Sequence, residues 1–513
     1  MTLLIKNVRI LGGVEKYSEP KDVFVNGDKI SAIGNFPDKG ADQVIDGGGA
    51  YLAPGFIDAN TDSDHYISLF DYPEQEDFLR QGVTTIMGGM CGASLAPLLY
   101  GSLESIQKWG DVGKVNVDWH SVQEFFAALE RRPLGVNFGT LIGHSTIRRA
   151  LIGGSIRELT KNELGVFGGT LRRAIEEGGM GLSTGLGYVH SYKTPYSELK
   201  FLASITKELG GVYATHLRRT DGELMESIDE TIKLASDTGI KTVVSHFTPI
   251  IGAEAEYEKG LKKIEALPKE FDFHFDIYPF TTSVLALYTF LPPWVRSGGR
   301  EVMLANIKDQ WMKPRIVKDM SKMNPWDFTI AQAPGNDHVV GKTLHDLVDI
   351  FNIPDYREAL LKLMVITELR GVAFYRNINA NLITIALKSP RSLIASNAAS
   401  FRETSPVKAL KPERATSTFT KFLSLVETKN LMPLENAVKK ITSEPARKFG
   451  LKGRGTIKEG NYADLALFSF KESRKEAVIS MDCEVACVVV NGGVAFKNGG
   501  FTGNFAGHVL RHG

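Results

Sequence analysis

A (β/α)8 barrel with β structure at both chain ends is the fold this sequence predicts, and three observations predict it. The middle of the chain alternates short apolar runs with amphipathic helical stretches, the pattern of a parallel sheet covered on both faces. Residues 1–56 and 446–513 lack those helices and read as strands punctuated by Gly, Asn and Asp. Several apolar runs in the middle end in polar side chains, and the C-terminal mouth of a barrel is where such folds keep their chemistry.

The elements follow in order. LLIKNVRIL, DVFVNGDKISAIGN and QVIDGGGAYLAPG are strand segments, and Asn26-Gly27 marks a hairpin between two of them. GVTTIMGG, GVNFGTLIG, GMGLSTGLG, GVYATHL, KTVVSHF, FDFHFDIYPF and SLIASNA read as buried strands. Helical segments such as ELKFLASITKELG and ELMESIDETIKLASDTG lie between them. About eight such units fit a barrel over residues 57–445. Near residues 285–350, LYTFLPPWVRSGG and the charged sequence after it break the alternation and predict an inserted subdomain. ADLALFSF and CEVACVVVNGGVAF return to strands. Within them Cys483 and Cys487, four apart, are expected on one face by the two-residue period. A doubly wound open sheet is the alternative, but no G-x-G-x-x-G follows a strand and no Walker motif occurs.

Composition narrows the function. The chain has 513 residues with 60 Lys+Arg against 59 Asp+Glu, a net charge of +1, which argues against a dedicated nucleic-acid or anionic-membrane binder. Its 3 cysteines are no disulfide framework for this length. No apolar run is long enough to span a membrane, and MTLLIKNVRI is charged too early for a signal peptide. The expectation is a cytoplasmic enzyme-sized protein with a small-molecule ligand, no nucleic acid and no membrane; composition says nothing of its oligomeric state.

The polar strand ends are Asn60, Asp62, Cys91, His144, His216, His246, Tyr278, Ser396 and Asn397. Thiolate and neutral imidazole suit zinc, and three protein ligands beside an open position define a catalytic zinc site. The cysteine and the histidines are far apart in the chain, so spacing leaves both a metal site and ordinary buried side chains open.

The blocks QGVTTIMGGMCGASLAPL, IGHSTIRRALIG, GMGLSTGLGY, VYATHLR, VVSHF, FDIYPFT, FLPPWVRSGG, AVKKITSEPARKFGL and RGTIKEGNYADLALF occur in that order. In them the chain resembles the amidohydrolase superfamily, specifically its D-aminoacylase (N-acyl-D-amino-acid deacylase) branch. The resemblance implies a (β/α)8 TIM barrel, a late insertion, and a small β-sandwich joining residues 1–56 to 446–513. It also implies metal-assisted hydrolysis of a non-peptide carbon–nitrogen bond, with N-acyl amino acids as the substrate class.

Carried over residue by residue, the resemblance makes Cys91, His216 and His246 ligands of one zinc ion. His144 would contact the substrate carbonyl, and Arg218, Tyr278 and Arg414 would bind substrate. Where the family has His-x-His after PGFID, this chain has Asn60-Thr61-Asp62, so Asp62 stands as an additional carboxylate candidate for the metal. Where the family has Ser-Asp-Gly, this chain has Ser396-Asn397-Ala398, and an amide at 397 has no basic pKa with which to act as general base. Asp64 and His65 follow at once as candidates for a substitute. The substitutions gather at the mouth while the scaffold blocks persist, which leaves two readings: a hydrolase with rearranged chemistry, or a catalytically silent relative that binds a small molecule or serves as a scaffold.

Overall fold

The computed structural model describes every residue except 14, 16, 38–39, 100–116, 221, 297–298, 403–408 and 476–477. Eight parallel strand positions build the barrel. They are Phe56–Asp58, Val83–Gly88, Asn137–Thr140 continued by Ile142–Gly143, Gly181–Gly185, Val212–His216, Lys241–Val244, Phe273–Ile277 and Ser392–Ile394. Each pairs in parallel with the next. Beyond the eighth strand the ring is joined to the first by main-chain bonds: Asn397 N–H donates to the Asn60 carbonyl and Asp62 N–H to the Ala398 carbonyl, both at 2.9 Å.

These strands are apolar on both faces because both faces are covered. Ile57, Met87, Leu141, Met180, Val212, Val243 and Leu393 fill the lumen with Ala446 and Phe449 of the helix Ser443–Phe449. The outward side chains meet the helices in a larger cluster that includes Phe56, Phe138, Leu182, Tyr213 and Phe275. Burying a side chain of this size is worth about 1.5–3 kcal/mol, so the two layers hold the polar strand ends on a rigid frame.

Strands from both chain ends form one nine-stranded sheet, in which Leu465–Lys475 runs antiparallel to Tyr51–Pro54. The hairpin at Asn26-Gly27 forms, with Asn26 opposite Lys29 and Gly27 in the left-handed region at φ 61°. The cysteine pair departs from expectation. A register shift lies where Cys487 pairs with Leu467 and Val485 with Phe468, a bulge that adds one residue and flips the faces beyond it. Cys483 therefore joins the barrel-side core and Cys487 the core of the terminal sheet.

The inserted elements are wider than residues 285–350. They form an antiparallel sheet of Thr282–Ala286, Phe328–Gln332 and Val372–Arg376, with Val372–Arg376 central. That last strand reads like another barrel strand in the sequence, which hides the far limit of the insertion.

Candidate active site

Cys91 follows the second barrel strand on a glycine-flanked turn, His216 ends the fifth strand, and His246 lies just past the sixth. Their donor atoms lie within 4.8 Å of one another. Cys91 Sγ is 3.4 Å from His246 Nε2, and His216 Nδ1 is 2.9 Å from the same nitrogen. Donors around one tetrahedral zinc ion stand about 3.3–3.6 Å apart by its bond lengths, so this set fits zinc with a small outward movement of one imidazole. Burial holds the His246 imidazole below its ordinary pKa, against the pull of Asp276, which keeps its lone pair available.

The local backbone is specialised to bring these donors together. Cys91, His246 and Asn397 all adopt positive φ, at 52°, 39° and 49°. Non-glycine residues there cost about 1–3 kcal/mol each and persist where surrounding structure imposes them. Glycine permits the close approach of the next loop: a Cβ on Gly187 would come within 2.7 Å of His216 Nε2. Tyr188, carried by that loop, hydrogen-bonds Cys91 and lies 4.9 Å from the His216 ring, centroid to centroid.

Asp62 lies outside this donor group. Its Oδ1 accepts from His65 Nδ1 at 3.0 Å, and the His65 Nε2 is 3.1 Å from the Ala93 carbonyl. Both ring nitrogens thus face acceptors, and the ring satisfies both only as an imidazolium. Burial opposes that charge, but Asp64 and the Asp62 hydrogen bond outweigh it and raise the His65 pKa to about 9. For Asp62, burial pushes the carboxyl up, yet His65, Arg414 and His246 prevail and hold it below the ordinary range.

Asn397 and Asn60 share one partner that sequence reading missed. Asn397 Nδ2 donates to Asp276 Oδ1 and Asn60 Nδ2 to Asp276 Oδ2, each at 2.9 Å, while the His246 N–H adds a third bond to Oδ1 at 2.7 Å. The signal was present: an aspartate inside the apolar run FDFHFDIYPF needs buried partners. Asp58 is likewise sealed, accepting from the Ser396 and Asn60 main chain, with burial the main cause of a pKa of about 7.

His144 does not face this site. Its side chain is fully buried and its Nε2 meets Glu198 Oε1 at 2.8 Å, where Arg148 Nε also donates at 3.1 Å. The reason is that His144 begins the helix His144–Ile152, which turns it toward the neighbouring helix Tyr196–Glu208 that carries Glu198. Arg218 is also committed inward: Glu230 takes its Nε and Nη2 at 3.1 and 2.9 Å, and the Tyr192 and Thr194 carbonyls take the rest. Arg414 differs. Its guanidinium stands 4.8 Å from the centre of the Tyr278 ring, and its buried Nε has no hydrogen-bond partner among the described residues.

The amidohydrolase family model matches residues 408–496. The chain is 28% identical to D-aminoacylase of Alcaligenes xylosoxydans xylosoxydans over 518 aligned residues, covering 99% of this chain and 97% of that protein. The crystal structure of a D-aminoacylase superposes with a TM-score of 0.81 at 25% identity, covering 99% of both chains. N-acyl-D-glutamate deacylase from Bordetella bronchiseptica, solved with zinc and a phosphonate inhibitor, superposes with a TM-score of 0.79 at 24% identity, again over 99% of each chain.

Proposed function

The chain belongs to the D-aminoacylase branch of the amidohydrolase superfamily, and from that premise we propose that it hydrolyses the amide bond of an N-acyl amino acid or similar small amide at a single-metal site. The observation that carries this reading is the convergence of Cys91, His216 and His246 at the barrel mouth. Zinc held by those residues would supply Lewis acidity toward the acyl carbonyl and draw the pKa of a water toward neutrality.

The remaining roles fall to the chain. Arg414 has a buried Nε without a hydrogen-bond partner among the described residues, and its guanidinium is the candidate for the substrate carboxylate, because a planar fork matches two carboxylate oxygens. Tyr278, whose buried ring lies beside that guanidinium, would help to position it. Arg218 holds the loop that carries Tyr192 and Thr194, so its contribution is to the wall of the site. Asn397 cannot take a proton, and its amide is already committed to Asp276.

Metal analysis and a hydrolysis screen test the reading together. Purified protein should carry about one zinc per chain, lost in Cys91→Ala, and should release free amino acid from members of an N-acetyl-D- and N-acetyl-L-amino-acid panel. A zinc-free parent ends the proposal. The second reading, a silent ligand-binding relative, is favoured by the clamp of Asn60 and Asn397 on Asp276, which fills with neutral amides the positions where the family carries a histidine and an aspartate. It predicts zinc without turnover on any member of the panel.

A further inference from the structure

We propose that Asp62 is the proton acceptor of this site, a carboxylate on the first strand end doing the work that the amide of Asn397 cannot do on the eighth. The proposal rests on the hydrolytic reading above. Its basis is register. The segments 60–62 and 397–398 lie side by side, joined by Asn397 N–H to the Asn60 carbonyl and Asp62 N–H to the Ala398 carbonyl. Residue 62 therefore lies at the same end of the barrel as residue 397, one hydrogen-bonded segment away.

The other carboxylates near the metal ligands are closed to solvent. Asp276 receives three N–H donors and has no exposed surface. Asp58 is fully buried on the main chain of Ser396 and Asn60, and Asp64 is buried with Oδ2 on the Gly89 N–H and Oδ1 shut off from solvent without a hydrogen-bond partner among the described residues. His65 already carries both ring protons. Asp62 alone of these groups keeps an opening, with 24% of its side chain exposed. Its Oδ1 is pinned by His65, and Oδ2 has no hydrogen-bond partner among the described residues. That arrangement orients a carboxylate by one oxygen and leaves the other for a proton. The His65 imidazolium is the positioning residue, itself anchored on the Ala93 carbonyl.

The step balances without another reactant. The attacking water gives a proton to Asp62 Oδ2 as its oxygen bonds to the acyl carbon and the carbonyl π pair moves onto oxygen. That pair returns, the C–N bond breaks, and Asp62 passes the proton to the departing nitrogen. Water and amide become a carboxylic acid and an amine.

The test compares Asp62→Asn and Asp62→Ala with the parent on whichever N-acetyl amino acid the panel selects. Positioned acid–base groups are worth about 10²–10⁴ in rate, so kcat should fall by that factor in both variants with KM little changed. Zinc affinity, measured by competition with a chromophoric chelator, should stay within about threefold of the parent, since Asp62 is no ligand; loss of a ligand or its orienting partner costs about 10–100-fold. Sodium formate should restore part of the rate to Asp62→Ala and none to Asp62→Asn, where the amide still fills the space. Parent-like kcat in Asp62→Asn, or a tenfold loss of zinc affinity, overturns the proposal while leaving the hydrolytic reading intact. A zinc-loaded parent that hydrolyses nothing on the panel overturns both.

Discussion

The Asn397 side-chain amide donates to Asp276 Oδ1 across 2.9 Å, a bond between two groups sealed inside the protein. With Asn60 on the other oxygen, Asp276 has every donor it needs and His246 has its main chain fixed from below. Replacing Asn397 by aspartate would set a second carboxylate against Asp276 and remove a buried donor. An unsatisfied buried group costs about 1–3 kcal/mol, more when charged. Asn397→Asp is expected to melt several degrees below the parent and to gain no activity. A variant that melts with the parent and turns over faster would show that the clamp has no hold on Asp276.

Zinc should stabilise the folded chain by mass action, because Cys91, His216 and His246 meet only in the folded state. Free zinc at about a hundred times its dissociation constant adds about 2.7 kcal/mol to the unfolding free energy. Urea titrations with and without zinc should show that gain in the parent and lose it in Cys91→Ala. An equal gain in both would place the ion elsewhere.

The barrel was legible because its strands are continuous apolar runs with polar ends, a signal that survives without knowledge of contacts. The donors Cys91, His216 and His246 were legible for the same reason: each sits at or just past the end of such a run. His144 carried the identical signature and is buried on Glu198, since a strand end does not say which way the following helix turns its first residue. Arg218 was lost to Glu230, twelve residues ahead on a helix, a pairing that depends on how the loop folds back. Asp276 escaped notice because its meaning lies in Asn60 and Asn397, which are distant in sequence and adjacent only once the ring closes.

The two arginines near the mouth should separate cleanly. Arg414→Met removes a guanidinium whose Nε has no hydrogen-bond partner among the described residues, so stability should fall less than in Arg218→Met while KM for an N-acyl amino acid rises. Hydrogen bonds to charged groups are worth about 1.5–3 kcal/mol, a rise of roughly 10–150-fold. Arg218→Met leaves Glu230 and the Tyr192 and Thr194 carbonyls without their donor, so its effect should fall on melting temperature, with a smaller change in KM. Steady-state kinetics and a thermal melt on both variants check the division, and a reversed pattern would exchange the roles.

His65 should leave a signature in the pH dependence of stability. Its folded pKa is about 9, above the value of 6.5 for a free histidine, so the folded state holds its proton more tightly. The stabilisation is fully present below pH 6.5 and is lost as pH rises through 9, an amount on the order of 3 kcal/mol. Buried Lys440 and Lys448, each pulled down to about 8 chiefly by burial, act in the opposite sense above that pH, since only the unfolded chain keeps their protons. The parent alone therefore shows a mixed curve, and the informative quantity is its difference from His65→Asn. Urea midpoints should place the variant well below the parent at pH 6 and close the gap by pH 9.5. A gap that stays constant across that range would mean His65 holds Asp62 without its charge, as a neutral ring donating from Nδ1 alone.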